Sequence, residues 1–154
     1  MRTLQQPLFT PETEWVPPDH LPDLSSHAEI AIDLETRDPN LMTLGSGSVR
    51  RDGEIVGIAV AVEGWSGYFP IAHEGGGNMD RALVLDWFEE LLQTTSTKIF
   101  HNAMYDVSWI RSLGFYINGG IIDTMIAASL IDENRFSYTL DSVGKDYIGM
   151  RKNE

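Results

Sequence analysis

Three acidic side chains are placed where they could hold divalent metal ions. Asp33 and Glu35 stand at the end of the apolar run of residues 29–36. In an extended strand, residues i and i+2 point to the same face, so these two carboxylates project together. A further acid, Asp106, follows about seventy residues later in the segment of residues 101–106. Mg²⁺ and Mn²⁺ prefer carboxylate oxygens, and two such ions about 3.5–4 Å apart can clamp an in-line phosphoryl displacement.

Each acidic segment also has a purely structural interpretation. The Asp33/Glu35 pair can mark the point where a strand meets solvent. Asn102 can be a helix N-cap, with Asp106 complementing the helix dipole in the first turn. The buried type of strand before Asp33 favours a functional role, because open α/β sheets place ligands at the carboxyl ends of their strands. For Asp106 both interpretations stay open.

The composition describes one acidic domain. The chain has 154 residues, no cysteine and a net charge of −12. No apolar stretch approaches the roughly twenty residues that span a bilayer, and the N-terminus lacks the layout of a signal peptide. We therefore expect no membrane partner and a cytoplasmic location, in the host cytoplasm if the protein is viral. Without thiolates, any metal must be held by oxygen or histidine ligands.

The negative charge bears on nucleic-acid binding. A phosphate backbone attracts basic patches, so 11 Lys and Arg against 23 Asp and Glu oppose a free-standing nucleic-acid binder. The objection is weaker for a nuclease domain that is tethered to a basic partner domain, because bound Mg²⁺ inverts the local field of clustered carboxylates.

The hydrophobic pattern predicts a mixed α/β domain after a proline-rich arm. Residues 1–28 hold five of the seven prolines and are expected to form an extended arm, packed in part through Trp15. Residues 29–154 form the second predicted unit, with residues 40–52 as a polar loop and Asn78 as a helix cap. Strands are predicted at 29–36, 54–62, 65–72, 98–101 and 121–123, and helices at 79–93, 103–113, 124–130 and 138–148. The pattern indicates a mixed sheet flanked by helices and leaves the strand order open.

Two segments carry a family resemblance. Asp33-Leu34-Glu35-Thr36 and Asn102-Ala103-Met104-Tyr105-Asp106 resemble the first and second motifs of the DEDD 3′–5′ exonucleases. The stretches that begin at Ile122 and Leu140 resemble the proofreading domain of family A (polymerase I type) DNA polymerases, particularly viral ones. The resemblance covers residues 29–149. It implies a ribonuclease-H-like α/β fold with strand order 3-2-1-4-5, in which strand 2 is antiparallel.

The resemblance also implies a role for each site residue. Asp33, Glu35 and Asp106 would be the catalytic metal ligands for two Mg²⁺ or Mn²⁺ ions in a complete domain. Three further residues would bind or support the substrate end: Thr36 supports the first motif, Asn102 orders the second, and Tyr105 lies against the terminal nucleotide. The implied partners are the single-stranded 3′ end of DNA and the rest of a polymerase chain, in cis or in trans. Asp123 is expected to order the fold by capping the helix that follows it.

The third motif of the family is absent. That motif is a Tyr or His four residues before an Asp. The later aspartates are preceded at that distance by Gly119, Ala128, Ser137 and Ser142. We interpret the chain as an amino-terminal piece of a longer polymerase rather than a shortened inactive relative, and expect little or no exonuclease activity from it alone.

Two other functions remain open on sequence grounds. A ribonuclease-D-like RNA exonuclease would use the same acids. A non-catalytic binding or structural module would keep the fold without the chemistry, which the missing third motif favours and the retained acids oppose.

Overall fold

The alternation of buried apolar residues with more exposed ones along the first strand defines the two faces of the sheet. In a computed structural model that describes residues 16–150, β1 runs over Glu29–Arg37. Ile30, Ile32 and Leu34 point into the core and are 0%, 3% and 6% exposed. Asp33 and Glu35 lie on the opposite face and are half-buried. The face that carries the acids is therefore fixed by the apolar residues that alternate with them.

The sheet has five strands in the order β3-β2-β1-β4-β5. β2 is antiparallel to both of its neighbours, whereas β4 is parallel to β1 and β5 is parallel to β4. This confirms the predicted mixed sheet and its strand order. The remaining strands are β2 (Glu54–Val62), β3 (Trp65–Pro70), β4 (Thr97–Phe100) and β5 (Ile121–Asp123).

The helices follow the predicted order, with two additions. Two four-residue helices lie in the segment that was expected to be only a polar loop. The helices are α1 (Leu41–Leu44), α2 (Gly47–Arg50), α3 (Arg81–Gln93), α4 (Ala103–Ser112), α5 (Thr124–Ile131) and α6 (Leu140–Ile148). None of the helices in residues 16–150 is long and apolar enough to cross a bilayer.

The start of α3 was predicted two residues too early. Asp80, not Asn78, is the N-cap, and its carboxylate accepts a hydrogen bond from Leu83 N–H. The Asn78 amide instead holds the preceding loop, because it bonds both the N–H and the C=O of His73 at 2.7 and 2.8 Å.

The core lies between the apolar face of the sheet and helices α3 and α4. Phe69, Phe88 and Ile110 are fully buried in it. Trp87 packs on Phe69 with ring centroids 4.5 Å apart. Within the predicted arm, Leu24 is also buried, and Pro22 C=O accepts a hydrogen bond from the Trp87 indole at 2.8 Å. Trp15 lies outside the described residues.

One buried lysine joins the start of β4 to two loops. Lys98 is 0% exposed, and its Nζ donates to Thr94 O and Oγ1, Ser96 O and Asn118 O at 2.5–3.0 Å. All four acceptors are uncharged. Burial lowers the pKa of this amine, and the four oxygens supply the hydrogen bonds that a buried ammonium needs.

Replacing Lys98 with methionine is expected to destabilise the fold by about 1–3 kcal/mol, because the buried carbonyl of Ser96 and the carbonyls of Thr94 and Asn118 lose their donor. The difference between wild type and variant should grow as pH rises towards the ordinary lysine value of 10.5. In that range the unfolded chain binds the proton that the folded chain has released. Urea unfolding at several pH values measures both effects, with the exposed Lys145→Met as the control. An unchanged or increased stability for Lys98→Met would contradict the prediction.

Candidate active site

The acid pair lies at the middle of the sheet beside small residues. In the register of β1 with β2, Asp33 is opposite Ala59 and Glu35 is opposite Gly57. The register then shifts between Glu35 and Thr36. Such irregularities bend a strand and re-aim its side chains, and they are frequent next to active sites. The predicted projection of both carboxylates to one face is confirmed.

Asp106 is joined to the acid pair by a hydrogen bond to the backbone of Leu34, the residue between Asp33 and Glu35. Its Oδ1 accepts a hydrogen bond of 3.0 Å from the N–H of Leu34. The pairing of β1 with β4 covers only residues 29–31, so this carboxylate replaces a strand partner where β4 has ended. Asp106 is 4% exposed and stands in the first turn of α4. The second motif is therefore anchored directly on the first.

An apolar groove runs beside the acids on the same face of the sheet. It has a volume of about 510 Å³. Asp33, Tyr68, His101, Thr124 and Leu140 are among its lining residues, and its floor includes Ala31, Ala59, Ala61 and Gly67. The groove therefore combines a floor of small residues with one carboxylate, Asp33, in its lining.

Thr36 and Tyr105, two of the predicted substrate-binding residues, meet through their hydroxyl groups. The two oxygens are 2.7 Å apart, and the Tyr105 hydroxyl also donates to Asp38 Oδ2 at 3.3 Å. The Tyr105 ring packs edge-on against Trp109. The hydroxyl end of Tyr105 is thus engaged inside the protein, and its ring is half-buried.

The family follows from comparison with known proteins. Residues 10–154 match the 3′–5′ exonuclease family of the DNA polymerase A type. The chain belongs to that family. It is 38% identical over 153 residues to a DNA-directed DNA polymerase of Pseudomonas phage M6, covering 94% of this chain and 23% of that polymerase. The chain therefore spans about a quarter of the length of this relative.

Solved structures share the fold of this exonuclease-family chain. Brucella melitensis NrnC with bound Mg²⁺ superposes with a TM-score of 0.62 and 20% identity, over 85% of this chain and 58% of NrnC. Escherichia coli RNase D superposes with a TM-score of 0.58 and 16% identity, over 84% of this chain and 30% of RNase D. The ribonuclease-H-like fold expected from the sequence is confirmed.

Asn102 does not cap α4 in this exonuclease-family chain. It occupies the N-cap position in a left-handed conformation, with φ 68°, and its exposed side chain makes no capping bond. Asp123 supplies the cap instead, because its carboxylate accepts the N–H groups of Asn102 and Ala103 at 3.0 and 2.8 Å. The interpretation of Asn102 as a side-chain N-cap was wrong, because its side chain makes no capping bond and the carboxylate of Asp123 takes that place.

Asp123 also caps its own helix, as the sequence predicted. It accepts the N–H of Met125, in the first turn of α5, at 2.9 Å. Burial alone would raise the pKa of this carboxyl, but the backbone N–H donors from Ala103, Asn102 and Met125 bring it below the ordinary value. One ionised side chain therefore fixes the beginnings of both α4 and α5.

The donor set fits a hard divalent cation in part. Within residues 16–150 no group of three or more acidic or histidine side chains converges as a ready-made metal site. Asp33 and Glu35 nevertheless offer carboxylate oxygens on one face. Mg²⁺ is commonly held by one or two carboxylates, with water and substrate phosphate as its other ligands. The pair fits such a cation, and Asp106 stands next to it.

Two residues of this face escaped the sequence analysis. Tyr68 on β3 and His73 in the next loop are joined by a hydrogen bond of 2.5 Å from the phenol oxygen to Nε2. The only signal in the sequence was the period of two in β3, which placed Tyr68 on a face but could not show that Asp33 shares it. That placement requires the register of three strands.

Proposed function

We propose that this chain is the 3′–5′ exonuclease (proofreading) portion of a DNA polymerase. The observation that carries the proposal is the anchoring of Asp106 on Leu34, between Asp33 and Glu35. It brings the two family motifs together at the edge of the groove. The substrate we propose is the single-stranded 3′ end of DNA, whose last phosphodiester is hydrolysed.

The three acids have two roles in this proposal. Asp33 and Glu35 would hold two Mg²⁺ or Mn²⁺ ions together with Asp106 in a complete domain, and Glu35 stands directly before the register shift. Bound Mg²⁺ supplies stabilisation of the negative charge that develops on the attacked phosphate. Asp106 keeps one oxygen on Leu34 and can direct the other towards the pair.

The neighbouring residues orient the substrate. Thr36 holds the Tyr105 hydroxyl and thereby sets the angle of the ring, against which the terminal base stacks. Asn102 has an exposed side chain at the turn before α4 and can reach the nucleotide. The apolar groove, which Asp33 lines and Tyr105 does not, keeps water away from the acid side of the nucleotide.

The rest of a polymerase chain is the proposed partner, in cis or in trans. A net charge of −12 opposes retention of DNA by this chain alone. A partner that carries basic surface would supply the affinity for the phosphate backbone and the missing third motif. We accordingly expect little or no exonuclease activity from the isolated chain.

A chimera tests the function. Residues 10–154 would replace the matching stretch of the Pseudomonas phage M6 polymerase, to which the chain is 38% identical. We expect stepwise shortening of 3′-labelled single-stranded DNA with Mg²⁺ and much slower shortening of the matched RNA. Retained polymerisation shows that the chimera has folded.

Three results of that assay would change the conclusion. Faster degradation of RNA would favour the ribonuclease-D-like alternative. Intact polymerisation without any degradation of DNA would favour a non-catalytic module. Rapid release of mononucleotides by the isolated chain with Mn²⁺ would contradict the prediction that it is inactive alone.

A further inference from the structure

We propose that Tyr68 is a positioning residue for the acid pair, with its phenol hydroxyl clamped between His73 and the strand that faces Glu35. The inference rests on the proposed function, because it concerns how Asp33 and Glu35 are held for their metal. Tyr68 acts through these carboxylates and need not touch the DNA.

The strand register brings Tyr68 to the acids. Tyr68 on β3 is opposite Ala59 on β2, and Ala59 is opposite Asp33 on β1. Residues that are directly opposite in neighbouring strands share a face of the sheet. Tyr68 and Asp33 therefore lie on one face, separated by the short side chain of Ala59, and both line the same groove.

The absence of a side chain at Gly57 gives the phenol its place. A Cβ on Gly57 would lie 1.9 Å from the Tyr68 hydroxyl oxygen and 2.3 Å from the ring carbon that bears it. Gly57 is opposite Glu35 in the register and does not have a positive φ. A glycine here is needed for space rather than for backbone conformation. The hydroxyl thus lies over the backbone of Gly57, next to the strand position of Glu35.

A chain of hydrogen bonds fixes the phenol from the other side. His73 Nε2 lies 2.5 Å from the Tyr68 oxygen, and the two rings meet edge to face with centroids 5.8 Å apart. The backbone of His73 is held in turn by the amide of Asn78 at both its N–H and its C=O. Asn78, His73 and Tyr68 therefore form a continuous support that ends beside the acids.

The electrostatic surroundings agree with this geometry. Burial, followed by the negative charges of Glu35 and Asp33, raises the pKa of Tyr68 to about 12. The phenol is within the field of both carboxylates. With His73 Nε2–H donating to the phenol oxygen, the phenol keeps its own O–H to orient a carboxylate oxygen, which is how outer partners commonly fix metal ligands.

Binding of Mn²⁺ to the 154-residue chain, measured by the loss of the free-ion electron paramagnetic resonance signal, tests the inference. We expect Tyr68→Phe to weaken binding about 10-fold, within the range typical for loss of an outer partner of a metal ligand. Gly57→Ala should weaken it similarly, because the added methyl displaces the hydroxyl. The melting temperature of Tyr68→Phe should stay close to that of wild type, and the exposed Tyr116→Phe should bind like wild type.

The variant Asp33→Asn distinguishes failure of the proposed role of Tyr68 from failure of the proposed metal site. If Asp33→Asn loses Mn²⁺ binding and Tyr68→Phe binds like wild type, the role of Tyr68 is refuted and the metal site stands. If wild type and Asp33→Asn bind equally weakly, the metal site itself is refuted, and the role of Tyr68 with it. A weakened Tyr68→Phe beside a normal Tyr116→Phe supports the inference even if Gly57→Ala fails to fold.

Discussion

Asp33→Asn in the polymerase chimera is expected to lower the exonuclease rate at least about 1000-fold, with polymerisation unchanged. The substitution keeps the shape of the side chain and removes the charge that we propose holds the cation. A 1000-fold loss corresponds to about 4 kcal/mol of transition-state stabilisation, a reasonable share for charge neutralisation at an attacked phosphate. The measurement is single-turnover release of the 3′ nucleotide with Mg²⁺.

The control for Asp33 is an acid that lies far from the groove. Asp86 is exposed on α3, and Asp86→Asn makes the same change in net charge. It should leave the exonuclease rate within about twofold of wild type, because a distant surface charge is screened by salt. Equal rates for Asp33→Asn and wild type would remove Asp33 from the catalytic site.

Two substitutions of Asp106 should separate its structural role from its catalytic one. Asp106→Ala deprives the buried N–H of Leu34 of its acceptor and should destabilise the fold by about 1–3 kcal/mol. Asp106→Asn can keep a carbonyl oxygen on Leu34, so its stability should stay nearer to that of wild type. Both variants lack the carboxylate, and we expect both to lose at least about 100-fold in exonuclease rate.

Urea unfolding of the chain measures the stability of both Asp106 variants, and the nuclease assay of the chimera measures their exonuclease rates. An Asp106→Asn variant with the exonuclease rate of wild type would show that Asp106 is only a structural acceptor for β1. The purely structural interpretation, which the sequence left open for this residue, would then be correct.

The sequence predicted well what local periodicity determines. The alternation of Ile30, Ile32 and Leu34 determined the face on which Asp33 and Glu35 project. The boundaries of the principal strands and helices came within two residues of those observed, because apolar runs and glycines mark them. The strand order came from the family resemblance, since local patterns do not determine which strands pair.

Contacts that depend on the tertiary structure could not be predicted from local periodicity. Asp123 rather than Asn102 caps α4 because a left-handed turn and a neighbouring strand bring it there. The short helices α1 and α2 are joined by Arg50, the last residue of α2, whose guanidinium bonds Asp52 and the backbone carbonyls of residues 44–46. Their formation depends on these side-chain bonds more than on helix propensity.

Asp123 also couples two layers of the molecule mechanically. Its single carboxylate accepts hydrogen bonds both from the turn that leads to Asp106 and from the first turn of α5. The outward face of α5 carries Leu130 and Ile131, which are 82% and 70% exposed. A displacement of α5 would reach the turn before Asp106 through this one carboxylate, so we expect the position of α5 to affect the alignment of the acids.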